Sequence, residues 1–157
     1  MAAPRRCNTG YSCYFITAST FRKRNILQSD RMARLLVNVL LHYRQQEKYL
    51  LHEFVVMPDH FYLLITPVQA LERSMQFIKG GFSYRAKKEL DFAREIWQPS
   101  YYDRRVRNAN EYFAFREYIR RNAVKRGLAV GPEQYPYCSA TPELFLDPAP
   151  ERLAAAA

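Results

Sequence analysis

The sequence predicts an α+β fold in which an antiparallel four-stranded sheet carries helices. Three observations predict it: strand-like and helix-like segments alternate along the chain, two strands follow each other with only a three-residue turn, and 48% of the 157 residues are hydrophobic. This length suits one domain with a single core. We therefore expect one folded unit over residues 11–130, a flexible N-terminus at 1–10, and an extension with a frayed tail at 131–157.

The chain begins with a predicted strand followed by a helix. Residues 11–20 are rich in aromatic and β-branched side chains, which favours a strand, and a basic turn follows at 21–25. Ser29 can cap a helix, because apolar residues recur after it with helical spacing until the polar run at 44–48. We expect this helix to cover one face of the sheet.

The next segments predict a hairpin and a second helix. Strands at about 49–57 and 60–66 are separated by so few residues that they must be antiparallel neighbours. Residues 71–90 have helical spacing, but Gly80 and Gly81 interrupt them. The pattern therefore leaves open two helices or one kinked helix.

A fourth strand and a last helix complete the order. The strand is expected within residues 96–106, and Asn108 with Glu111 forms a capping-box pattern for a helix that ends near Gly127. Strand, helix, strand, strand, helix, strand and helix is the split β-α-β-β-α-β arrangement plus one helix. The expected architecture is thus ferredoxin-like, with helices on one face of the sheet and an additional C-terminal helix.

The charge of the chain favours a polyanionic partner. There are 24 Lys and Arg against 15 Asp and Glu, a net charge of +9, and residues 79–126 hold 13 of the basic residues and 6 of the acidic ones. Aromatic residues interleave with these cations, as in proteins that hold single-stranded nucleic acid. Solvated charge runs and core aromatics would produce the same pattern, so the partner needs further evidence.

Cysteine usage and hydropathy predict a reduced, cytoplasmic protein. Cys7, Cys13 and Cys138 contain no C-x-x-C pair, and reduced thiols are the simplest account of them. The basic N-terminus is followed by no apolar signal region, and no run of 18 uncharged apolar residues occurs. We expect neither export nor a membrane span.

Two pairs of polar residues have spacing that could support chemistry. His60 and Tyr62 lie two apart on a strand and share one face, while Tyr118 and Asn122 lie four apart on a helix and also share a face. A strand histidine is often only a hydrogen-bonded structural residue, and most of the 12 tyrosines must pack rather than react. Spacing alone leaves both readings open.

Five blocks of the sequence resemble one family in order and spacing. They begin at Gly10, Val56, Ile96, Glu117 and Tyr135 and read GYSCYFIT, VMPDH, IWQPSYYDRRVR, EYIRRNAVKRGL and YPYCSA. The chain thereby resembles the REP-associated tyrosine transposases, a branch of the single-tyrosine HUH transposases, over about residues 10–140. In that family the strand carries His-hydrophobic-His, whereas here Tyr62 replaces the second histidine.

The resemblance implies a metal-dependent single-stranded DNA endonuclease and strand transferase that acts on hairpins of repetitive extragenic palindromes. By matching positions, Tyr118 would be the nucleophile that forms a 5′-phosphotyrosine, and His60, Tyr62 and Asn122 would hold Mg²⁺ or Mn²⁺. The protein would work in the cytoplasm at the nucleoid, as a monomer or homodimer. The cations expected to bind DNA are Arg104, Arg105, Arg107, Arg120, Arg121, Lys125 and Arg126.

Two alternatives stand beside an active enzyme, and the first follows from Tyr62. Loss of an imidazole weakens metal binding unless the phenolate or a neighbour, His52 or Glu53, compensates, so the chain could instead be a hairpin-binding protein of the same fold with impaired catalysis. The family's Asn-Pro-Val also reads Asn122-Ala-Val here, which keeps the proposed ligand. An RNA-binding module is the third possibility, because such modules use a similar sheet, but their characteristic strand motif is absent from the sequence.

Overall fold

The computed structural model describes residues 11–154. The predicted flexible segment at 1–10, with Cys7, and the end of the tail at 155–157 lie outside the described residues. Short 3-10 turns occur at Phe21–Lys23 and Pro132–Gln134. The strands and helices are β1 (Tyr14–Ser19), α1 (Asp30–Gln45), β2 (Tyr49–Met57), β3 (His60–Pro67), α2 (Leu71–Leu90), β4 (Tyr102–Arg105), α3 (Ala109–Lys125) and α4 (Glu151–Ala154).

The four strands form one antiparallel sheet in the order β2-β3-β1-β4. A split β-α-β-β-α-β chain produces this order, and the ferredoxin-like α+β prediction is confirmed. Within the hairpin, Met57 pairs with His60 and Val55 pairs with Tyr62. Alternation along β3 therefore directs His60 and Tyr62 to one face of the sheet and Phe61 to the other.

Helices α1 and α2 cover the face that carries Phe61. Ser29 caps α1 as predicted, since its Oγ accepts a hydrogen bond from the Met32 N–H at 3.3 Å. The larger core lies between these helices and the sheet. Its fully buried members include Ile16, Leu36, Val39, Leu40, Phe54, Phe61, Leu63, Ile78 and Phe82.

The two adjacent glycines do not divide α2, which runs unbroken from Leu71 to Leu90. The structure gives the reason for one of them. A Cβ at Gly81 would lie 2.8 Å from Cε2 of Tyr43 on α1, so only glycine allows the tyrosine ring to pack directly on the backbone of α2. Gly81 thus permits close helix packing and does not mark a break.

Helix α3 covers part of the opposite face of the sheet. Asn108 Oδ1 accepts a hydrogen bond from the Glu111 N–H at 2.9 Å, and Gly127 follows the helix with φ of +76°, so both predicted ends are confirmed. The buried side of α3 packs on Phe15, Val55 and Leu64. Because α3 occupies this face, much of the surface that an RNA-recognition sheet would offer is covered.

The segment after Gly131 extends along the outer edge of β2. The Val56 N–H donates to the Tyr137 carbonyl at 2.8 Å, and the Ser139 N–H donates to the Phe54 carbonyl at 2.9 Å. Further along, the Asp147 N–H donates to the Leu51 carbonyl at 3.0 Å. These bonds protect the exposed edge of the sheet, as the predicted docked extension requires. Within residues 11–154, no helix is long and apolar enough to cross a membrane.

We expect Asp147→Ala to lower the free energy of unfolding by about 2 kcal/mol, because it removes charge-assisted hydrogen bonds and leaves a strand N–H unpaired. The Asp147 carboxylate accepts bonds from Arg44 Nε at 2.9 Å and Nη2 at 3.1 Å, and from the Leu51 N–H at 2.9 Å. Urea denaturation measures the loss. The exposed Glu143→Ala is the matched control, and equal stability of the two variants would show that the extension contributes no stability through Asp147.

Candidate nucleophile and metal site

His60 begins β3 and is held with one ring nitrogen ready to accept. Its Nδ1 lies 2.6 Å from Oδ1 of Asp59, a distance that assigns the ring proton to Nδ1, where it is donated to the carboxylate. Burial lowers the pKa of His60, which keeps the ring neutral. Its Nε2 is buried with no hydrogen-bond partner among residues 11–154. The histidine therefore presents an unused lone pair, oriented by a carboxylate as in many metal-binding histidines.

Asn122 on α3 supplies a second unused acceptor. The side chain is only 4% exposed, and its Oδ1 has no hydrogen-bond partner in the described part of the chain. A buried acceptor without a donor destabilises the fold by about 1–3 kcal/mol, so such atoms are uncommon and point to a ligand. His60 Nε2 and Asn122 Oδ1 are the two buried side-chain atoms of this kind in residues 11–154.

Tyr118 lies one turn before Asn122 and is the accessible member of the site. Its side chain is 43% exposed, and its hydroxyl oxygen is 3.2 Å from that of Tyr62. The two rings meet edge to face, with centroids 5.2 Å apart, and the ring of Tyr62 meets that of His60 in the same way at 4.9 Å. The structure thus brings His60, Tyr62 and Tyr118 together, and Asn122 follows on the same side of α3.

Two phenylalanines that the sequence did not single out support the tyrosines. Phe15 on β1 stacks on Phe115 of α3 with centroids 4.3 Å apart and on Tyr62 at 5.6 Å. Its ring also meets the edge of Tyr118 at 6.2 Å. Phe115 lies three residues before Tyr118, a helical spacing that could have indicated a shared face. The stack fixes the position of both hydroxyl groups relative to the sheet.

The donor atoms fit a divalent cation in part. The imidazole nitrogen of His60 and the amide oxygen of Asn122 suit Mg²⁺ or Mn²⁺. Tyr62 fits less well, because its hydroxyl contacts Tyr118 and because burial, with that hydrogen bond, raises the pKa of the phenol and keeps it protonated. No group of three or more His, Cys, Asp and Glu that could hold a metal occurs within residues 11–154. His60 Nε2 and Asn122 Oδ1 are therefore the buried side-chain atoms in residues 11–154 that are free to accept a cation.

Neither neighbour suggested as a replacement ligand is available. His52 uses both ring nitrogens, with Nε2 2.8 Å from Thr66 Oγ1 and Nδ1 3.1 Å from the Asp147 carbonyl. The Glu53 carboxylate is 3.1 Å from Arg120 Nε and 3.5 Å from Arg116 Nε. It also accepts a hydrogen bond from the Ser139 hydroxyl at 2.6 Å. Both residues are therefore excluded as metal ligands, because other protein groups already occupy their donor atoms.

The predicted DNA-binding cations divide into different environments. Arg126, at the end of α3, is close enough that its charge lowers the pKa of His60, and Arg104 on β4 lies over the Phe115 ring at 5.7 Å. Arg120 is instead held by Glu53, and Arg121 lies 3.6 Å from Glu117. Arg104 also contacts Glu111 at 3.1 Å. The side chains of Arg105, Arg107 and Lys125 are exposed.

The chain is similar to known proteins in both sequence and structure. A family model described as "Transposase IS200 like" matches residues 10–122. A REP-associated tyrosine transposase bound to a REP hairpin is 20% identical with a TM-score of 0.67, over 83% of this chain and 79% of that one. A presumed transposase from Deinococcus radiodurans R1 is 21% identical with a TM-score of 0.52, over 76% of this chain and 92% of that one. A comparison with curated proteins gave no match.

The buried carboxylate of Glu53 should contribute to the stability of the contact between α3 and the sheet. Glu53→Ala should lower the free energy of unfolding by about 3 kcal/mol, because Arg120 loses its partner inside a contact between helix and sheet. Chemical denaturation provides the measurement. Arg121→Ala, which breaks only the exposed pair with Glu117, should change stability by less than about 0.5 kcal/mol. A loss for Glu53→Ala as small as the control's would contradict this role.

Proposed function

Because this chain belongs to the IS200-like transposase family, we propose that it is a metal-dependent single-stranded DNA endonuclease and strand transferase that acts on palindromic repeat hairpins. One observation carries the proposal: an exposed phenol, Tyr118, contacts Tyr62, whose ring meets that of His60, and Asn122 follows one turn later on α3. His60 Nε2 and Asn122 Oδ1 are both buried and have no partner among the described residues. Activity on such hairpins would place the protein in the cytoplasm, at the nucleoid.

Tyr118 is the proposed nucleophile. Its phenol releases the proton to solvent, its oxygen forms a bond to the scissile phosphorus, and the bond between phosphorus and the 3′ oxygen breaks. The products are a 5′-phosphotyrosine and a 3′ end that takes up a proton to become a hydroxyl. Rejoining is the same exchange in reverse, with a 3′-hydroxyl displacing Tyr118. The exposure of Tyr118 supports this role, since the phosphate must reach its oxygen.

His60 and Asn122 are the residues that would hold Mg²⁺ or Mn²⁺. The cation would polarise the scissile phosphate and neutralise the charge that develops on it. Asp59 fixes the ring of His60 so that Nε2 faces away from the carboxylate. Tyr62, kept protonated by burial, can donate its hydroxyl hydrogen to the oxygen of Tyr118 and hold that oxygen in place.

The exposed cations would hold the DNA strand near Tyr118. Arg104 and Arg126 flank the tyrosines, and Arg105, Arg107, Arg121 and Lys125 extend the positive surface along β4 and α3. Phosphate contacts of this kind bind without reading sequence and weaken as salt concentration rises. Arg120 would contribute indirectly, because its guanidinium is bound to Glu53.

We expect Tyr118→Phe to abolish the covalent adduct with DNA and leave hairpin binding unchanged, because the substitution removes only the nucleophilic oxygen. The assay incubates an end-labelled single-stranded hairpin from beside the gene with protein and Mn²⁺, then looks for protein-linked label on a denaturing gel. Tyr84→Phe, an exposed tyrosine on α2, is the matched control. Persistence of the adduct in Tyr118→Phe would assign the nucleophile to another residue.

A second candidate function is a hairpin-binding protein of this fold with impaired cleavage. The contact of the Tyr62 hydroxyl with Tyr118 favours it, because among residues 11–154 the site then offers two free acceptor atoms, one on His60 and one on Asn122. Tyr62→His restores an imidazole beside His60. It should lower the Mn²⁺ concentration for half-maximal adduct formation by about tenfold, the order expected when a metal site is completed.

The unaltered chain and the Tyr62→His variant together separate the two candidates. An adduct formed by the unaltered chain supports the enzyme. Specific hairpin binding in a gel shift, with an adduct only in Tyr62→His, supports the impaired binding protein. Tyr102→His places an imidazole on an exposed strand residue instead and should have no effect.

A further inference from the structure

A second group of cations lies in the first half of the chain, away from the residues assigned to DNA above. Arg22, Lys23, Arg24 and Arg31 are exposed, and Arg94 joins them from the segment after α2. Within residues 11–154 none of the five forms an ion pair with a carboxylate, whereas Arg34, Arg85 and Arg104 each do. Their charge is therefore available to an external anion.

The turn that carries three of these cations is fixed to the turn that carries His60. The Thr20 N–H donates to the Asp59 carbonyl at 3.0 Å, and the Leu27 N–H donates to the Pro58 carbonyl at 2.9 Å. The Thr20 hydroxyl lies 2.6 Å from the Arg24 carbonyl and closes the turn. The turn that carries these cations therefore lies next to the Pro58-Asp59 turn, which directly precedes His60.

The backbone of this turn is held in an uncommon conformation. Arg22 and Lys23 have φ of 54° and 57°, in the left-handed region that costs a residue with a Cβ about 1 kcal/mol or more. The fixed ends of the turn maintain it.

A cavity of about 430 Å³ adjoins this turn and combines cations with an apolar floor. Arg24, Arg31 and Arg94 line it, and the Arg94 guanidinium lies 5.9 Å from the centre of the Phe92 ring. Ile26 and Met32 form part of the floor. We name this site the arginine cavity. A duplex presents phosphates with its bases stacked inside, so an apolar floor with an aromatic ring suits an unpaired base better.

We propose that the arginine cavity binds the single-stranded DNA that flanks the hairpin, with phosphates on the arginines and a base on the apolar floor. The proposal rests on the proposed function, because it takes hairpin DNA as the substrate. It adds a binding site outside β4 and α3. The strand would pass from the tyrosines along the turn at Arg22 and Lys23 to the cavity.

The test uses the full chain with Arg31→Gln and Arg94→Gln combined, two exposed positions where glutamine needs no unusual backbone. The matched control is Lys48→Gln with Arg73→Gln, which removes the same charge from two side chains that lie over the Phe77 ring. The probes are a labelled hairpin with single-stranded flanks on both sides and the same hairpin without flanks. Affinity is measured over a series of salt concentrations.

With the flanked hairpin, the cavity variant should bind about tenfold more weakly than the control. The slope of log affinity against log salt concentration should become smaller in magnitude by about 1.4, the value for two lost phosphate contacts to a single strand. With the flankless hairpin the two variants should bind equally. Equal binding of both probes by variant and control would overturn the proposal. An equal loss with both probes would assign the cavity to the stem and overturn it as well.

Failure of the underlying function gives a different result. If the unaltered chain bound neither hairpin above a scrambled single strand, hairpin DNA would not be the substrate, and the proposed function itself would be wrong. Binding by the unaltered chain without any difference between the variants would reject only the arginine cavity.

Discussion

The site depends on the ion pair between the buried carboxylate of Glu53 and Arg120. The carboxylate lies on the face of the sheet that α3 covers, where a charge must be paired to be tolerated, and its oxygens meet Arg120, Arg116 and the Ser139 hydroxyl. Arg120 lies midway between Tyr118 and Asn122. Holding its guanidinium on the sheet limits how far α3 can rotate or slide, and this helps to orient the phenol and the amide. An apolar contact would leave α3 freer to slide, because hydrophobic packing has little directionality.

Local patterns in the sequence were sufficient for most of the fold and for part of the site. The helix caps at Ser29 and Asn108, the hairpin at Pro58 and the spacing of Tyr118 and Asn122 follow from neighbouring residues, and the structure shows each of those elements. The reason for Gly81 could not be predicted, because it concerns Tyr43, which packs on this glycine from another helix. The pairing of Glu53 was also hidden, since a register shift between Leu51 and Glu53 decides its neighbours. For the same reason Arg120, predicted as a DNA-binding cation, was not recognised as the partner of Glu53, a residue far away in the sequence.

Tyr62 gives this position on β3 a different chemistry from that of a histidine, while its ring still packs in the site. An imidazole there could offer a lone pair, whereas the phenol stays protonated and directs its hydroxyl to Tyr118. Phe15 stacks on Tyr62 as one flat ring on another, so the ring is held by its shape and not by its polar group. Tyr62 is thus a hydrogen-bond partner of Tyr118, the proposed nucleophile, and offers no free lone pair of an imidazole. The unused acceptors on His60 and Asn122 remain despite their unfavourable burial, which argues that the site still serves a ligand.

The placement of charge suggests how a flexible strand could be held on both sides of one reacting atom. Arg126 follows the end of α3 and Lys23 lies in the turn after β1, and the charge of each lowers the pKa of His60. The two cations belong to segments that contact the same β-hairpin of the protein, β2-β3. Helix α3 packs on one face of β2 and β3, and the turn is hydrogen-bonded to Pro58 and Asp59. A phosphate backbone attracted to both would cross the hairpin end at His60, close to Tyr62 and Tyr118. Because a single strand has many conformations in solution, fixing it at two points would reduce the entropy still to be lost in the attack proposed for Tyr118. The rigid β2-β3 hairpin between the two cations would therefore orient the DNA strand, and the cations would supply affinity for its phosphates.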